Sequence, residues 1–182
     1  MNNRGSKSYR AIALLFAVFL PWAASAQTFT NNTPGAINDN QCFNRTITVP
    51  SALFIADLDV PVDITHSYRG DLDITLTSPA GTAVVLTSDN GGGANNLRVV
   101  FDDAATQSIV GDNANHNGNV ERRRIPENPL SAYNGQNAAG TWTLQICDDA
   151  GLDTGTFNFY SLVFVAAPRL SIAKALPLGR FA

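Results

Sequence analysis

The segment HSYRGDLDITLTSPAGT, residues 66–82, decides the fold of this chain. Within it, Leu72, Ile74 and Leu76 alternate with polar residues, which is the two-residue period of a β-strand with one buried face. The sequence Ser-Pro-Ala-Gly at residues 78–81 then ends the strand, because proline fixes φ and glycine accepts a positive φ. The segment therefore predicts a turn, a strand and a second turn.

The same two-residue period extends over most of the chain. Residues 58–64 and 142–146 alternate apolar and polar side chains, and residues 157–165 become apolar on both faces, as in a central strand. Clusters of Gly, Asn, Asp and Pro separate these runs, and outside the first 26 residues no segment has the pattern of an amphipathic helix. The sequence predicts an all-β sandwich of roughly eight strands.

The first 26 residues have the pattern of a secretory signal peptide. A basic stretch precedes an apolar stretch at residues 11–22 that is too short to span a bilayer, and the sequence Ala-Ser-Ala at residues 24–26 matches a small-residue cleavage site. An uncleaved membrane anchor is the alternative. We expect a secreted chain, extracellular or periplasmic, with no membrane span after the signal is removed.

Acidic residues are concentrated in the central part of the chain. Residues 27–165 contain all 15 acidic residues but only six of the 12 basic residues, and 13 of the acidic residues are aspartates. A domain with this excess of negative charge cannot hold nucleic acid by neutralising phosphates, so we exclude that class of partner. Aspartate is suited to turns and to hard cations such as Ca²⁺.

Four segments carry a resemblance to a known family. They are residues 66–82, FDDAA at 101–105, PENPLSAYNGQNAAGTWTLQICD at 126–148, and DTGTFNFYSLVF at 153–164. In this order and at this spacing they resemble the P domain, also called the Homo B domain, of kexin- and furin-like proprotein convertases and related bacterial secreted proteases. That family has a jelly-roll β-sandwich fold.

The signal-peptide pattern and the resemblance together predict a division of the chain into four parts. Residues 1–26 are the signal peptide, 27–44 an N-terminal lead-in segment, 45–165 the P/Homo B domain, and 166–182 a linker or a truncated C-terminal tail. Residues at positions of the family motif are expected to be structural. They are His66, Arg69, Gly70, Asp71, Asp73, Ser78, Pro79, Gly81 and Trp142.

The sequence contains no recognisable context for a serine protease triad. Its two histidines are His66 and His116, and the nucleophile motifs Gly-Thr-Ser-x-Ala and Gly-x-Ser-x-Gly are missing. In the resembled family the triad belongs to a separate domain, so we expect a chain that is not an enzyme by itself. Because His66 is in phase with the apolar face of the strand before it, a buried, hydrogen-bonded role is expected for it.

The resemblance implies an accessory or stabilising module for a subtilisin-like serine endopeptidase, whose catalytic domain is supplied in trans or has been lost. A free-standing extracellular binding module for a glycan or a surface protein is the alternative. It requires exposed aromatic side chains, for which Tyr68, Tyr133 and Tyr160 are the candidates. A third hypothesis is an inhibitor that occupies the docking face of a protease.

Several aspartates near strand ends and glycine-rich turns are candidate Ca²⁺ ligands. If the fold brought them together, their carboxylates would repel one another, and Ca²⁺ would relieve that repulsion. Some bacterial members of the resembled family have calcium-stabilised loops. Ordinary turn-capping aspartates are the alternative. The candidates are Asp89, Asp102, Asp103, Asp148 and Asp153.

Two further features remain to be placed in the fold. Cys42 and Cys147 are an even pair, which in an oxidising compartment predicts one disulfide, with two buried free thiols as the alternative. The run Arg122-Arg123-Arg124 resembles a cleavage site for a basic-specific protease. We expect it to be a solvated loop that a protease could nick.

Overall fold

The computed structural model describes residues 26–120 and 122–168 of the 182-residue chain. Within these residues it contains ten strands and two short 3-10 helices, which confirms the all-β prediction. The described residues include no helix long and apolar enough to cross a membrane. The predicted signal peptide lies outside the described residues except for Ala26, and so does the tail beyond residue 168.

The strands form two sheets of a sandwich. The strands of the larger sheet are β1 (Ala26–Asn31), β2 (Gly35–Ile37), β4 (Ile55–His66), β7 (Leu97–Phe101), β8 (Arg123–Arg124) and β10 (Gly155–Ala166). The strands of the smaller sheet are β3 (Gln41–Val49), β5 (Leu72–Thr77), β6 (Ala83–Thr87) and β9 (Gly140–Asp148). The 3-10 helices are Arg69–Asp71 and Leu130–Tyr133.

The strand order places the first and the last described strands beside each other. The larger sheet has the order β1-β10-β4-β7-β8, with β2 also paired to β10, and the smaller sheet has the order β3-β9-β5-β6. All pairs are antiparallel except β7 with β8. The last strand, β10, therefore lies inside its sheet, between β1 and β4, as its apolar sequence predicts.

The core lies between the two sheets and is centred on aromatic side chains. Trp142 is fully buried, and its ring centroid lies 5.0 Å from that of Tyr133 and 5.5 Å from that of Phe164. Its indole N–H donates to the backbone carbonyl of Ala138 at 2.8 Å. Trp142, on the smaller sheet, thus packs against the larger sheet. Its indole N–H has a hydrogen-bond acceptor, as a buried tryptophan requires.

The disulfide prediction is confirmed. Cys42 and Cys147 are bonded to each other and are directly opposite on β3 and β9, with their Cα atoms 4.0 Å apart. They are separated by 105 residues in the sequence. The bond therefore holds the edge strand of the smaller sheet to its neighbour and closes a long loop.

The turn after β5 is built by side chains of the opening segment. The hydroxyl of Ser78 donates to Oε1 of Gln136 at 3.0 Å and accepts the N–H of Thr82 at 3.3 Å. Gly81 has a φ of +85° and donates its N–H to the Ser78 carbonyl at 2.9 Å. A glycine suits this left-handed position, so the turn can reverse the chain into β6.

Candidate functional site

Three aspartates meet at one end of the smaller sheet. In this sheet β5 begins where its neighbours β6 and β9 end, because adjacent strands are antiparallel. Asp73 lies at the start of β5, Asp89 follows β6, and Asp149 follows β9. One carboxylate oxygen from each lies within 4.8 Å of the other two. We call Asp73, Asp89 and Asp149 the acidic cluster.

The electrostatics of the acidic cluster fit a cation. Burial raises the pKa of Asp149, and the negative charges of Asp73 and Asp89 raise it further. In addition, Oδ1 of Asp73 is buried and has no hydrogen-bond partner in the described residues. A Ca²⁺ ion takes six to eight oxygen ligands. It would stabilise this arrangement, because it would bind the free buried oxygen and remove the repulsion between the carboxylates.

The five aspartates proposed from the sequence do not come together, and only Asp89 belongs to the acidic cluster. Asp102 accepts the Ala104 N–H at 2.7 Å and a hydrogen bond from Arg123 at 2.6 Å. Asp103 accepts the N–H groups of residues 130 and 131, both at 2.8 Å, at the start of the second 3-10 helix. These two aspartates therefore have local protein partners.

The other two candidates are outside the acidic cluster and have other partners. Asp148 lies in a buried pair with His66, with Oδ2 and Nε2 3.1 Å apart, and both side chains are fully buried. Nδ1 of the same ring lies 2.7 Å from the Tyr68 carbonyl, so the imidazole is held on both sides. Asp153 accepts the hydroxyl of Ser67 at 2.7 Å. Sequence reasoning did not single out Asp149 and assigned Asp73 a structural role, whereas the structure places both in the acidic cluster.

A second polar centre surrounds Arg69. Its side chain is only 1 % exposed and donates to the carbonyls of Asn90 at 3.4 Å, Ala114 at 3.0 Å and Asp112. Gly91, with a φ of +105°, lies directly against this guanidinium, where any Cβ would clash. Arg69 therefore connects the loop at Asn90 and the loop at residues 112–114 to the first 3-10 helix.

The side chain of Asp112 is shared among three cationic or potentially cationic groups. Nε of Arg124 donates to it at 2.6 Å and Nε2 of His116 at 2.9 Å, and Nη2 of Arg69 lies 3.9 Å away. Burial acts to raise the pKa of Asp112, but hydrogen bonds from Arg124, the Ala114 N–H and His116 lower it to about 2. Burial, and then the charge of Arg69, lower the pKa of His116 to about 4. At neutral pH, Asp112 is therefore charged and His116 neutral.

The three tyrosines that the binding-module alternative requires have different environments. Tyr133 and Tyr160 are fully buried, and their hydroxyls donate to backbone carbonyls of Leu76 at 2.6 Å and Arg45 at 3.3 Å. Tyr68 is 41 % exposed. Of the three, only Tyr68 is placed to contact a ligand.

Comparison with known proteins identifies the family. A model of the proprotein convertase P-domain matches residues 55–164, which is more than half of the chain. The chain belongs to this family. The resemblance carried by the four sequence segments is confirmed, and the P domain matched here contains both the buried His66–Asp148 pair and the acidic cluster.

Curated relatives of this P domain include two calcium-dependent proteases and a leupeptin-inactivating enzyme. A calcium-dependent protease of Trichormus variabilis is 30% identical over 138 residues, which cover 74% of this chain and 17% of the relative. Leupeptin-inactivating enzyme 1 of Streptomyces exfoliatus is 28% identical over 109 residues, covering 60% of this chain and 18% of the relative. The chain thus spans less than a fifth of the length of these relatives.

A solved structure has the same fold. The serine protease of Aeromonas sobria matches with a TM-score of 0.54 at 22% identity, covering 81% of this chain and 28% of the other. The complex of that protease with its chaperone matches with a TM-score of 0.51, covering 80% of this chain. At this identity the likeness establishes the fold of the P domain.

Proposed function

We propose that this P domain is a secreted, non-catalytic module that supports the folding and stability of a subtilisin-like serine endopeptidase. The observation that carries the proposal is the family match over residues 55–164. It is supported by two relatives that are named as calcium-dependent proteases and are much longer than the region matched. The chain corresponds to one part of such a protein, and its catalytic domain is supplied in trans or by a longer polypeptide.

The surroundings of the two histidines support a non-catalytic role. His66 is 2 % exposed and His116 is fully buried, and each is hydrogen-bonded to an aspartate. A general base in a protease must reach the nucleophile and the substrate. Neither imidazole is exposed enough to do so. His66 connects the ends of β4 and β9, and His116 bonds within its own loop to Asp112.

A chimera tests the accessory role. In the calcium-dependent protease of Trichormus variabilis, the matching region would be replaced by residues 26–168 of this chain, and casein hydrolysis would be compared with that of a deletion variant. We expect the chimera to hydrolyse casein and the deletion variant to be inactive or to be degraded. The isolated chain, assayed alone, should show no hydrolysis. A chimera as inactive as the deletion variant, although folded by circular dichroism, would contradict the proposal.

We further propose that the acidic cluster binds Ca²⁺. Asp73, Asp89 and Asp149 would supply carboxylate oxygens, and the ion would remove the repulsion that raises the pKa of Asp149. Support comes from the free buried oxygen of Asp73 and from the relatives named as calcium-dependent proteases. In this role the ion would link the ends of three neighbouring strands.

Thermal unfolding with and without Ca²⁺ tests this site. At a Ca²⁺ concentration 100 times the dissociation constant, we expect a stabilisation of about 2.7 kcal/mol relative to EDTA, which corresponds to a rise of about 8 °C in Tm. Asp149→Asn should abolish the rise. Asp57→Asn, at an exposed position of β4, is the matched control and should retain it. Equal rises in both variants would place the ion elsewhere, and no rise in the unsubstituted chain would reject calcium binding.

A further inference from the structure

The dipeptide Asn-Gly occurs at Asn90, Asn117 and Asn134 in the described residues. An asparagine before glycine can lose ammonia without an enzyme. The peptide nitrogen of the glycine attacks Cγ of the asparagine, the amide nitrogen leaves as ammonia with the proton of that N–H, and water opens the resulting cyclic imide to aspartate or isoaspartate. The reaction requires a peptide N–H that is free to react and a side-chain NH₂ group that is free to leave.

The pair at Asn117 has a free nucleophile. Asn117 and Gly118 are both exposed, and the Gly118 N–H has no acceptor among the described residues. Gly118 has a φ of +91°, which glycine adopts without strain, and nothing lies within 4 Å of the position that a Cβ would occupy. The peptide nitrogen of Gly118 is therefore open to solvent and to the side chain of Asn117.

The carboxamide of Asn117 is also arranged for attack. Nδ2 of Asn96 donates to Oδ1 of Asn117 at 3.0 Å. The orientation of the Asn96 amide is fixed, because its own Oδ1 accepts the His66 N–H at 3.1 Å. As the glycine nitrogen attacks, negative charge develops on Oδ1 of Asn117, and a donor at that oxygen stabilises the charge. Within the described part of the chain, no acceptor holds Nδ2 of Asn117, the nitrogen that leaves.

The pair at Asn134 is equally exposed, but its nucleophile is held. The Gly135 N–H donates to the Ile55 carbonyl at 2.7 Å, which joins the loop before β9 to the start of β4. This bond must break before the nitrogen of Gly135 can attack Asn134. A hydrogen bond of ordinary strength reduces the reactive population about tenfold.

The pair at Asn90 is held at the leaving group. Nδ2 of Asn90 lies within hydrogen-bond distance of three acceptors. They are the Thr87 hydroxyl at 3.2 Å, the Ser88 carbonyl at 2.9 Å and Oε2 of Glu127 at 3.0 Å. The following residue, Gly91, is buried. The side-chain nitrogen is thus fixed in place, and the peptide nitrogen is shielded from water.

We propose that Asn117 is a site of spontaneous deamidation in the folded protein, and that Asn90 and Asn134 are protected by their hydrogen bonds. The same dipeptide has a different environment at each position, so the fold selects the site. Conversion of Asn117 to aspartate or isoaspartate adds one negative charge to the loop of residues 111–119. This proposal is independent of the protease-associated role.

The isoaspartate product also changes the backbone between two attached points of this loop. Before Asn117, the His116 N–H donates to the Asn95 carbonyl at 2.9 Å, and after it, the Gly118 carbonyl accepts from Nη1 of Arg98 at 3.0 Å. Isoaspartate inserts one methylene group into the main chain between these contacts. Both contacts cannot keep their geometry, so the attachment of the loop to β7 becomes weaker as the protein ages.

Peptide mapping by mass spectrometry tests the site. The complete oxidised chain would be incubated at mildly alkaline pH, sampled over time and digested with pepsin in acid, which stops the reaction. We expect conversion at Asn117 to be about tenfold faster than at Asn134 or Asn90. In urea the unfolded chain has lost these contacts, so the three rates should agree within about twofold. A folded chain in which Asn134 or Asn90 reacts as fast as Asn117 would overturn the proposal.

Asn96→Asp tests the role of the neighbouring amide. Aspartate has the same shape and keeps an acceptor for the His66 N–H, but it replaces the donor to Asn117 with an oxygen. We expect conversion at Asn117 to slow at least about threefold, whereas Asn134 serves as the internal control and should be unchanged. An unchanged rate at Asn117 would overturn the role of Asn96. If the variant does not fold, the comparison of the three sites in the unsubstituted chain decides by itself.

Discussion

Replacing Asp148 with alanine will destabilise the P domain by about 3–5 kcal/mol, because it leaves a buried partner without its acceptor. His66 and Asp148 are both fully buried in their side chains, and Nε2 and Oδ2 are 3.1 Å apart. Without the carboxylate, the imidazole remains buried and unsatisfied on one side, and the Ala150 N–H loses an acceptor as well. Urea denaturation followed by tryptophan fluorescence measures the change in the free energy of unfolding.

The adjacent residue provides the control. Asp149 is exposed and belongs to the acidic cluster, so Asp149→Ala should change stability in EDTA by less than about 0.5 kcal/mol. It should abolish the stabilisation by Ca²⁺, whereas Asp148→Ala should retain it. The two variants thus separate a structural carboxylate from a ligand. A loss of stability in EDTA that is equal in both variants would refute the distinction.

Removing the disulfide will cost up to about 4–5 kcal/mol, because a loop of 105 residues is no longer closed in the unfolded chain. The change is Cys42→Ala together with Cys147→Ala, and the measurement is the free energy of unfolding in urea under oxidising conditions. The unsubstituted chain should lose a similar amount on reduction with dithiothreitol. The double variant, treated in the same way, should lose none. A loss below about 1 kcal/mol would mean that unfolded-state structure or native strain cancels the expected effect.

Much of the fold could be predicted because apolar and polar side chains alternate along a strand that has one buried face. The alternation at residues 58–64, 72–76 and 142–146 predicted three of the main strands. The sequence did not reveal β2 and β8, since strands of three and two residues are too short to show a period. The predicted solvated loop at residues 122–124 is accordingly wrong for Arg124. It is nearly buried, because β8 pairs with β7 from a distant part of the chain.

The candidate site was harder to predict, since it depends on which strands are neighbours. Asp148 is in phase with Trp142, Leu144 and Ile146, so the period alone indicates that its side chain faces inward. That signal was available and would have excluded Asp148 as an exposed ligand. The meeting of Asp73 with Asp149 could not be predicted, because it requires β9 to lie beside β5. The pairing of β5 with β9, which are far apart in the sequence, cannot be read from the local side-chain pattern of either strand.

The central place of β10 also determines when this domain can fold. Strands β1, β2 and β4 all pair with β10, so much of the larger sheet is incomplete until residues 155–166 have left the ribosome. Cys42 must likewise wait for Cys147 before the bond can form. Contacts between distant residues form slowly, since the entropy of closing the chain is lost before the contacts are gained. The larger sheet therefore remains open and vulnerable to proteolysis until residues 155–166 are available to pair.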